Sequence, residues 1–330
     1  MTVSVDDIRA AAARLRGRAI RPPLLESARL NDRLGGRLLV KPECLQRTGS
    51  FKFRGAYNTL SAMDPAVRAR GVIAYSSGNH AQGVALSAKL FGAPATIIMP
   101  HDAPELKKRN TAEYGAEVVL YDRYSENREA LGERLMADRG LTLVKPYDQE
   151  SVIAGQGTVG LEIAEQCAEA GVTPDFALCP AGGGGLIGGV SLALKDAFPQ
   201  IAVHPAEPAD FDDWGRSLAG GVRVAVDPSA RSICDAILTP TPGEITFEIG
   251  RRTLSAGVGV SDEEALAAMR DAFLELKIVA EPGGVVALAA LLSGRVELSG
   301  RTAVVVVSGG NVDPALFRRA LDMTEMPSAA

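Results

Sequence analysis

Cysteine is scarce in this chain: four in 330 residues, at positions 44, 167, 179 and 234, with no CxxC pair among them. Only three histidines stand beside them. A disulfide framework and a zinc cluster are therefore not expected, and a reducing cytoplasm is. Long apolar runs are missing too; none approaches the roughly 18 residues that a membrane helix needs. Nor is there a basic excess, since 35 Lys and Arg against 40 Asp and Glu leave a net charge of −5. A protein that tracks a phosphate backbone normally carries the opposite balance, so neither nucleic acid nor membrane is the expected partner. The N-terminus places Asp6 and Asp7 where a signal peptide would place basic residues, and no apolar core follows. It reads instead as a helix capped by Ser4, with Asp7 three residues on and Gly17 closing it.

What the chain has is length and glycine. At roughly 150 residues per domain it is long enough for about two domains. Apolar residues make up 46% and charged residues 23%, the composition of a globular fold rather than a disordered chain. Glycine numbers 35, against an average of about 7%, so about a dozen glycines need a local reason. Short β-branched runs alternate with longer helical patterns. Strands are expected over Arg37–Lys41, Val72–Tyr75, Ala95–Met99, Glu117–Tyr121, Leu141–Lys145, Asp175–Cys179, Ile201–His204 and Ala303–Val307. This order predicts an α/β fold with two open, mostly parallel sheets flanked by helices. The units between 71 and 148 read as a small domain inserted into a larger one made of 1–70 and 149–330. The closing EMPSAA reads as a frayed tail. Open α/β sheets bind ligands at the carboxyl ends of their strands, and there the glycines gather: SSGNH, AGGGGLIGG and SGGN.

Three of these segments can carry chemistry. In Thr48-Gly-Ser-Phe-Lys-Phe-Arg-Gly55, Thr48 and Ser50 are good helix caps and Lys52 falls in the first turn, where the helix dipole disfavours a cation. An amine held there between Phe51 and Phe53 loses its proton easily and can form a Schiff base. An isolated lysine would more often be a snorkelling surface residue; its neighbours shift that balance. Next, Pro180-Ala-Gly-Gly-Gly-Gly-Leu-Ile-Gly-Gly189 follows an apolar strand and opens a helix. Four glycines in a row have no packing value, whereas converging N–H groups at a helix start cradle an anion. A rival stands here: Gly183, Gly185 and Gly188 satisfy the dinucleotide fingerprint, with Glu207 as the ribose acid of an NAD-dependent oxidoreductase. That rival leaves two glycine loops unexplained. One is Ser76-Ser77-Gly78-Asn79-His80, whose hydroxyls, amide and helix start suit a carboxylate; His80 by itself reads as a structural histidine. The other is Ser308-Gly-Gly-Asn311. One lysine, one phosphate cradle and one carboxylate cradle together describe pyridoxal 5′-phosphate handling an amino acid. A non-catalytic amino-acid-binding module would have no use for Lys52.

The motifs TGSFKFRGA, SSGNHAQG, AGQGT (154–158), GGGGL and SGGNVD, in this order, resemble the threonine/serine dehydratase and serine racemase group. These are pyridoxal-phosphate enzymes of the tryptophan-synthase-β type, fold type II, and the resemblance runs from RPPLLES to about residue 320. It implies the short, degradative form and a homodimer. It implies that Lys52 carries the cofactor and moves the α-proton, that Phe51 flanks the ring, and that Asn79 bonds its 3′-oxygen. Gly182, Gly183, Gly184, Gly185 and Leu186 would hold the phosphate. Ser308 would face the pyridine nitrogen, where a hydroxyl leaves the ring a weaker electron sink and suits β-elimination over transamination. Ser76, Ser77, Gly78, Asn79 and His80 would take the substrate carboxylate, with Ser77 on the face opposite Lys52 and Asp235 near the substrate hydroxyl. Glu207, the Phe211 carbonyl and Asp213 resemble the group's Mg²⁺ or Ca²⁺ site; read alone, they are a solvated acidic loop. The expected activity is β-elimination of L-threonine or L-serine to a 2-oxo acid and ammonia. Serine racemase or 3-hydroxyaspartate ammonia-lyase activity on the same site is the alternative.

Overall fold

A computed structural model describes residues 3–103, 105–122 and 124–323, so the closing EMPSAA lies outside the described residues. The first helix, α1 (Val5–Leu15), starts as the sequence predicts. Ser4 accepts from the Asp7 N–H and the Asp7 carboxylate accepts from Ser4, a reciprocal capping box. Helix α2 (Ala28–Leu34) and strand β1 (Arg37–Pro42) follow, then α3 (Lys52–Ala62) and α4 (Pro65–Arg70). A run of alternating units comes next: β2 (Val72–Tyr75), α5 (Asn79–Phe91), β3 (Ala95–Pro100), α6 (Glu105–Glu113), β4 (Glu117–Tyr121), α7 (Arg128–Arg139) and β5 (Thr142–Leu143). The chain continues through α8 (Glu150–Glu169), β6 (Phe176–Pro180), α9 (Gly185–Ala197), β7 (Ala202–Pro208) and α10 (Asp213–Gly220). It closes with α11 (Glu244–Thr253), β8 (Val258–Val260), α12 (Asp262–Leu276), α13 (Pro282–Leu292), β9 (Thr302–Val307) and α14 (Pro314–Leu321).

Among the described residues these strands form two sheets, ordered β1-β9-β6-β7-β8 and β4-β3-β2-β5, and every strand pair is parallel. Strands buried on both faces read as unbroken apolar runs, as β6 and β9 do. Three strands depart from expectation, the first being β7, which runs on to Pro208, well past the expected end at His204. The run at 141–145 pairs over Thr142–Leu143 only, although the Val144 N–H still donates to the Ile73 carbonyl. The three-residue β8 at the sheet edge is missed, since its Val-Gly-Val is too short for a period-two signal.

Helix α3 is held unusually closely. A Cβ on Gly155 of α8 would lie 2.6 Å from the Gly55 Cα, and one on Gly189 of α9 would lie 2.6 Å from the Gly157 nitrogen. The glycines of AGQGT therefore let three helices meet backbone to backbone. Beneath them Arg54 pairs with Glu43 at 2.8 Å and with Glu162 at 2.7 Å, while Lys41 also reaches Glu162 at 2.7 Å. Breaking such a buried charge cluster by removing one partner costs about 3–5 kcal/mol. The start of α3 is fixed from below, and that is where Lys52 stands.

Candidate active site

Four segments converge on one cavity of about 330 Å³, within the size range of small-ligand pockets. The turn after β6 and the loop after β9 come from the five-stranded sheet, the SSGNH loop after β2 comes from the four-stranded sheet, and Phe51 and Lys52 open α3. The segments are laced together. Ser50 bridges to Gly309, Phe51 N–H donates to the Ser308 carbonyl at 3.1 Å and Gly310 N–H to that of Gly49 at 2.9 Å. Asn311 Nδ2 donates to the Thr48 carbonyl and to Asn79 Oδ1, each at 2.7 Å. One amide thus ties three loops.

The expected helix caps are not the caps. Phe51 takes the N-cap position of α3 without a side-chain bond. Thr48 stands in the left-handed region at φ +61°, and Ser50 is drawn into the bridge with Gly309. Both hydroxyls are buried without a hydrogen-bond partner among the described residues. Pairing with the SGGN loop won over capping. Lys52 itself donates to the Pro146 carbonyl at 2.7 Å and lies 5.2 Å from the centre of the Phe51 ring. Burial lowers its pKa from 10.5 to about 8, opposed by Glu281. The depression expected at a helix start is present, and desolvation is its main cause.

Gly182 to Leu186 form the turn into α9. Trp214 Nε1 donates to the Gly182 carbonyl at 2.6 Å and Thr246 Oγ1 to the Gly183 carbonyl at 2.6 Å. With those carbonyls engaged, the N–H groups of the first turn, which have no carbonyl four residues back, remain to hold an anion. The glycines also have the packing reason that sequence reasoning denied them. A Cβ on Gly183 would lie 2.3 Å from the Tyr147 ring, and one on Gly184 would lie 2.2 Å from Trp214 Cζ2. Ser308 is buried on the neighbouring strand end. An N–H cradle for a phosphate, a buried lysine for an aldehyde and a hydroxyl one strand away fit pyridoxal phosphate.

On the other wall, Ser76 Oγ accepts from the Gly78 N–H at 3.2 Å. His80 Nε2 bonds the Val144 carbonyl at 2.8 Å, so that nitrogen carries the hydrogen, and Nδ1 is buried without a partner among the described residues. Burial, aided by Lys52, lowers the His80 pKa from 6.5 to about 3; the ring is neutral. Asp235 sits at the rim, 56% exposed, in an ion pair with Lys107. Sequence reasoning passed over Lys107, Arg128, Tyr147 and Glu281, all on the cavity wall. Two carried a signal. Arg128 is a cation at the first position of α7, against the dipole. Glu281 directly precedes the Pro-Gly-Gly start of the apolar α13, a cap position that glutamate fills poorly.

Glu207, Phe211 and Asp213 do not line the cavity. Glu207 accepts from the N–H groups of Trp214 and Gly215 at 2.9 and 3.0 Å, capping α10. Burial, with Asp213 adding, pushes its carboxyl well above the usual range. Burial also raises Asp213 to about 7, and Asp213 Oδ2 has no partner among the described residues. In place of the solvated acidic loop that these residues suggest when read alone, the structure has two buried carboxyl groups with an orphan oxygen, and hard oxygen donors of this kind fit a divalent cation. No cluster of three or more His, Cys, Asp or Glu side chains able to hold a metal occurs among the described residues, so such a cation would need oxygen ligands beyond these two side chains. A glutamate bound to α10 is unavailable to a ribose, which removes the dinucleotide alternative's acid.

Two parallel sheets meeting at a buried lysine and a helix-start anion cradle define an enzyme that works through an aldehyde-phosphate cofactor. Comparison with known families agrees: residues 16–309 match the pyridoxal-phosphate dependent enzyme family, and the chain belongs to it. It is 42% identical to the L-threo-3-hydroxyaspartate ammonia-lyase of Saccharomyces cerevisiae, over 93% of each chain. It is 43% identical to the enzyme of that name from a Pseudomonas species, over 94% of this chain and 96% of the other. Among solved structures it resembles maize serine racemase at 36% identity and a TM-score of 0.91, over 97% of each chain.

Proposed function

We propose that the protein is a pyridoxal-phosphate-dependent ammonia-lyase for 3-hydroxy amino acids, with L-threo-3-hydroxyaspartate as the substrate its site fits best. The expectation of L-threonine or L-serine as main substrate gives way to what stood as its alternative. One observation carries this: among the described residues the cavity wall carries, besides Lys52, the cationic side chains of Lys107 and Arg128, both from the units of the four-stranded sheet. A substrate with a second carboxylate on its β-carbon needs such a cation, and threonine and serine do not. Two relatives named for that substrate support the same choice.

Pyridoxal phosphate, when bound, draws electron density from the substrate's α-carbon. The rest falls to the chain. Gly182 to Leu186 would hold the phosphate by their N–H groups, Phe51 would flank the ring, and Asn79 and Ser308 would offer it hydrogen bonds. Ser76 to His80 take the α-carboxylate, with Ser77 facing Lys52 across the site. Lys52 Nζ takes the α-proton, which its lowered pKa permits near neutrality. Asp235 pairs with Lys107 at the rim. Mg²⁺ or Ca²⁺ on Glu207, the Phe211 carbonyl and Asp213 would steady the start of α10, and with it the Trp214 that pins the glycine turn.

The test is oxo-acid and ammonia release from L-threo-3-hydroxyaspartate, L-threonine, L-serine and D-serine. The highest kcat/KM is expected for 3-hydroxyaspartate, and equal values for threonine would overturn the substrate assignment. A second reading, serine racemisation, is favoured by Ser77, the hydroxyl of the SSGNH loop that the family resemblance sets opposite Lys52. Ser77→Ala should cut D-serine turnover by about 10²-fold or more, as loss of an acid–base group does, while elimination from L-substrates persists. Surviving D-serine turnover alongside lost L-elimination would reverse the two faces.

A further inference from the structure

Glu281 is a buried carboxylate on the cavity wall that none of the roles above uses. It occupies the N-cap of α13 yet makes no cap bond. Its side chain turns toward the SGGN loop instead, so closely that a Cβ on Gly309 would lie 2.0 Å from Glu281 Oε1. Its N–H also donates to the Gly309 carbonyl at 3.0 Å, which locks its place beside Ser308.

The hydrogen bonds fix a direction. Asn311 Nδ2 spends both hydrogens, one on the Thr48 carbonyl and one on Asn79 Oδ1. Asn79 must therefore present its oxygen to Asn311 and its NH₂ the other way. One of those two hydrogens goes to Glu281 Oε1 at 2.6 Å, and the other is left for the cavity. A continuous chain thus runs from Glu281 through Asn79 and Asn311 to the loop that carries Lys52. Asn311 holds the oxygen side of the Asn79 amide and Glu281 holds its NH₂ side, so loss of the Glu281 acceptor frees one of the two anchors that aim the remaining N–H.

We propose that Glu281 is a positioning residue: through Asn79 it sets the hydrogen bond offered to the cofactor ring, and its ionisation changes the state of the bound cofactor. This rests on the proposed function, in which Asn79 faces that ring. Burial raises the Glu281 carboxyl to about 7, while the Asn79 bond lowers it. The charged groups facing it are Asp235 from the rim, Lys107 from α6 and Lys52 from α3, and the thiols of Cys44 and Cys234 also feel it. Its ionisation therefore falls in the neutral range and is coupled to Lys52.

The experiment titrates the absorbance of bound pyridoxal phosphate with pH and measures cofactor affinity by equilibrium dialysis, for wild type, Glu281→Gln, Glu281→Ala and Asn79→Ala. Wild type should show a spectral transition near neutral pH. Glu281→Gln can still accept from Asn79 but cannot ionise, so affinity should hold within about threefold while the transition disappears. Glu281→Ala should weaken cofactor binding about tenfold, and no further when combined with Asn79→Ala, because the two act as one unit. An unchanged transition in Glu281→Gln, or additive losses in the double variant, would overturn the role of Glu281 and leave the proposed function standing. If wild type binds no cofactor, both fall. Should Glu281→Ala not fold, the Glu281→Gln titration decides alone.

Discussion

The cavity has two walls of different construction. On the side of the five-stranded sheet the groups proposed to face the cofactor are backbone N–H groups, the buried Ser308 hydroxyl and the buried Glu281, with Asp235 exposed at the rim. On the side of the four-stranded sheet the charged groups are long and part-exposed: the Lys107 side chain is 25% exposed and that of Arg128 43%. The first wall is set mainly by chain geometry and by side chains held in place by burial. The second is set by rotamers that must be ordered by substrate, at an entropic cost for each long side chain. A cofactor that stays bound suits the first wall, and a substrate that must enter and leave suits the second.

The sharpest way to break this division is Lys52→Ala. The variant should fold, since alanine is well tolerated at a helix start, and should retain the phosphate cradle. Turnover should fall by at least about 10³-fold, the upper range for loss of an acid–base group. The covalent cofactor band should vanish while noncovalent cofactor remains measurable by dialysis. If the band persists, another lysine is the anchor and the buried wall has been assigned wrongly.

The opposite wall is tested by Arg128→Gln. A lost hydrogen bond between charged groups is worth about 1.5–3 kcal/mol, so kcat/KM for 3-hydroxyaspartate should fall by one to two orders of magnitude. The value for L-serine should change less than about threefold, because serine offers no second carboxylate. Equal losses for both substrates would show that Arg128 supports the fold of α7 and does not read the substrate.

The same contrast governs what was legible in the sequence. The buried wall announces itself in runs of glycine and in apolar strands, because its function is a backbone shape and backbone shape is written in local residue choice. The other wall shows its SSGNH loop in the sequence, but its cations Lys107 and Arg128 come from α6 and α7, in units whose patterns look like any solvated helix. What brings Arg128 to Ser77 is the parallel register of β2, β3 and β4, and no local window contains that. The Thr48 and Ser50 caps failed for a related reason. Their hydroxyls are good caps in isolation, but a strand-like bridge to Gly309, 259 residues away in sequence, took the backbone first. Glu281 escaped notice because its partner, Asn79, is 202 residues distant.

A smaller effect is expected behind the buried wall. If Glu207, the Phe211 carbonyl and Asp213 hold a divalent cation, chelation should lower the melting temperature and added Mg²⁺ or Ca²⁺ should restore it. The stabilisation is about 2.7 kcal/mol with the ion at one hundred times its dissociation constant. Asp213→Ala should abolish the response. Activity should follow stability only partly, since the ion acts through Trp214 and the glycine turn. A chelator that leaves the wild-type melting curve unmoved would return these carboxylates to the role of a helix cap.

The smallest effect separates a buried histidine from a titrating one at the junction of the walls. His80 is neutral in the fold, its pKa lowered from 6.5 to about 3, whereas in the unfolded chain it protonates normally. Between those values the unfolded state binds the extra proton, so this contribution to stability is whole above about pH 6.5 and is lost as pH falls toward about 3. The slope is at most about 1.4 kcal/mol per pH unit. His80→Asn lacks that group and should be destabilised at neutral pH by the lost bond to the Val144 carbonyl. Its deficit relative to wild type should then shrink as pH is lowered toward about 5. Urea unfolding of both proteins at several pH values reads the difference. A deficit that stays constant would mean that His80 takes up its proton in the folded protein, and the SSGNH loop would then carry a positive charge of its own toward the substrate carboxylate.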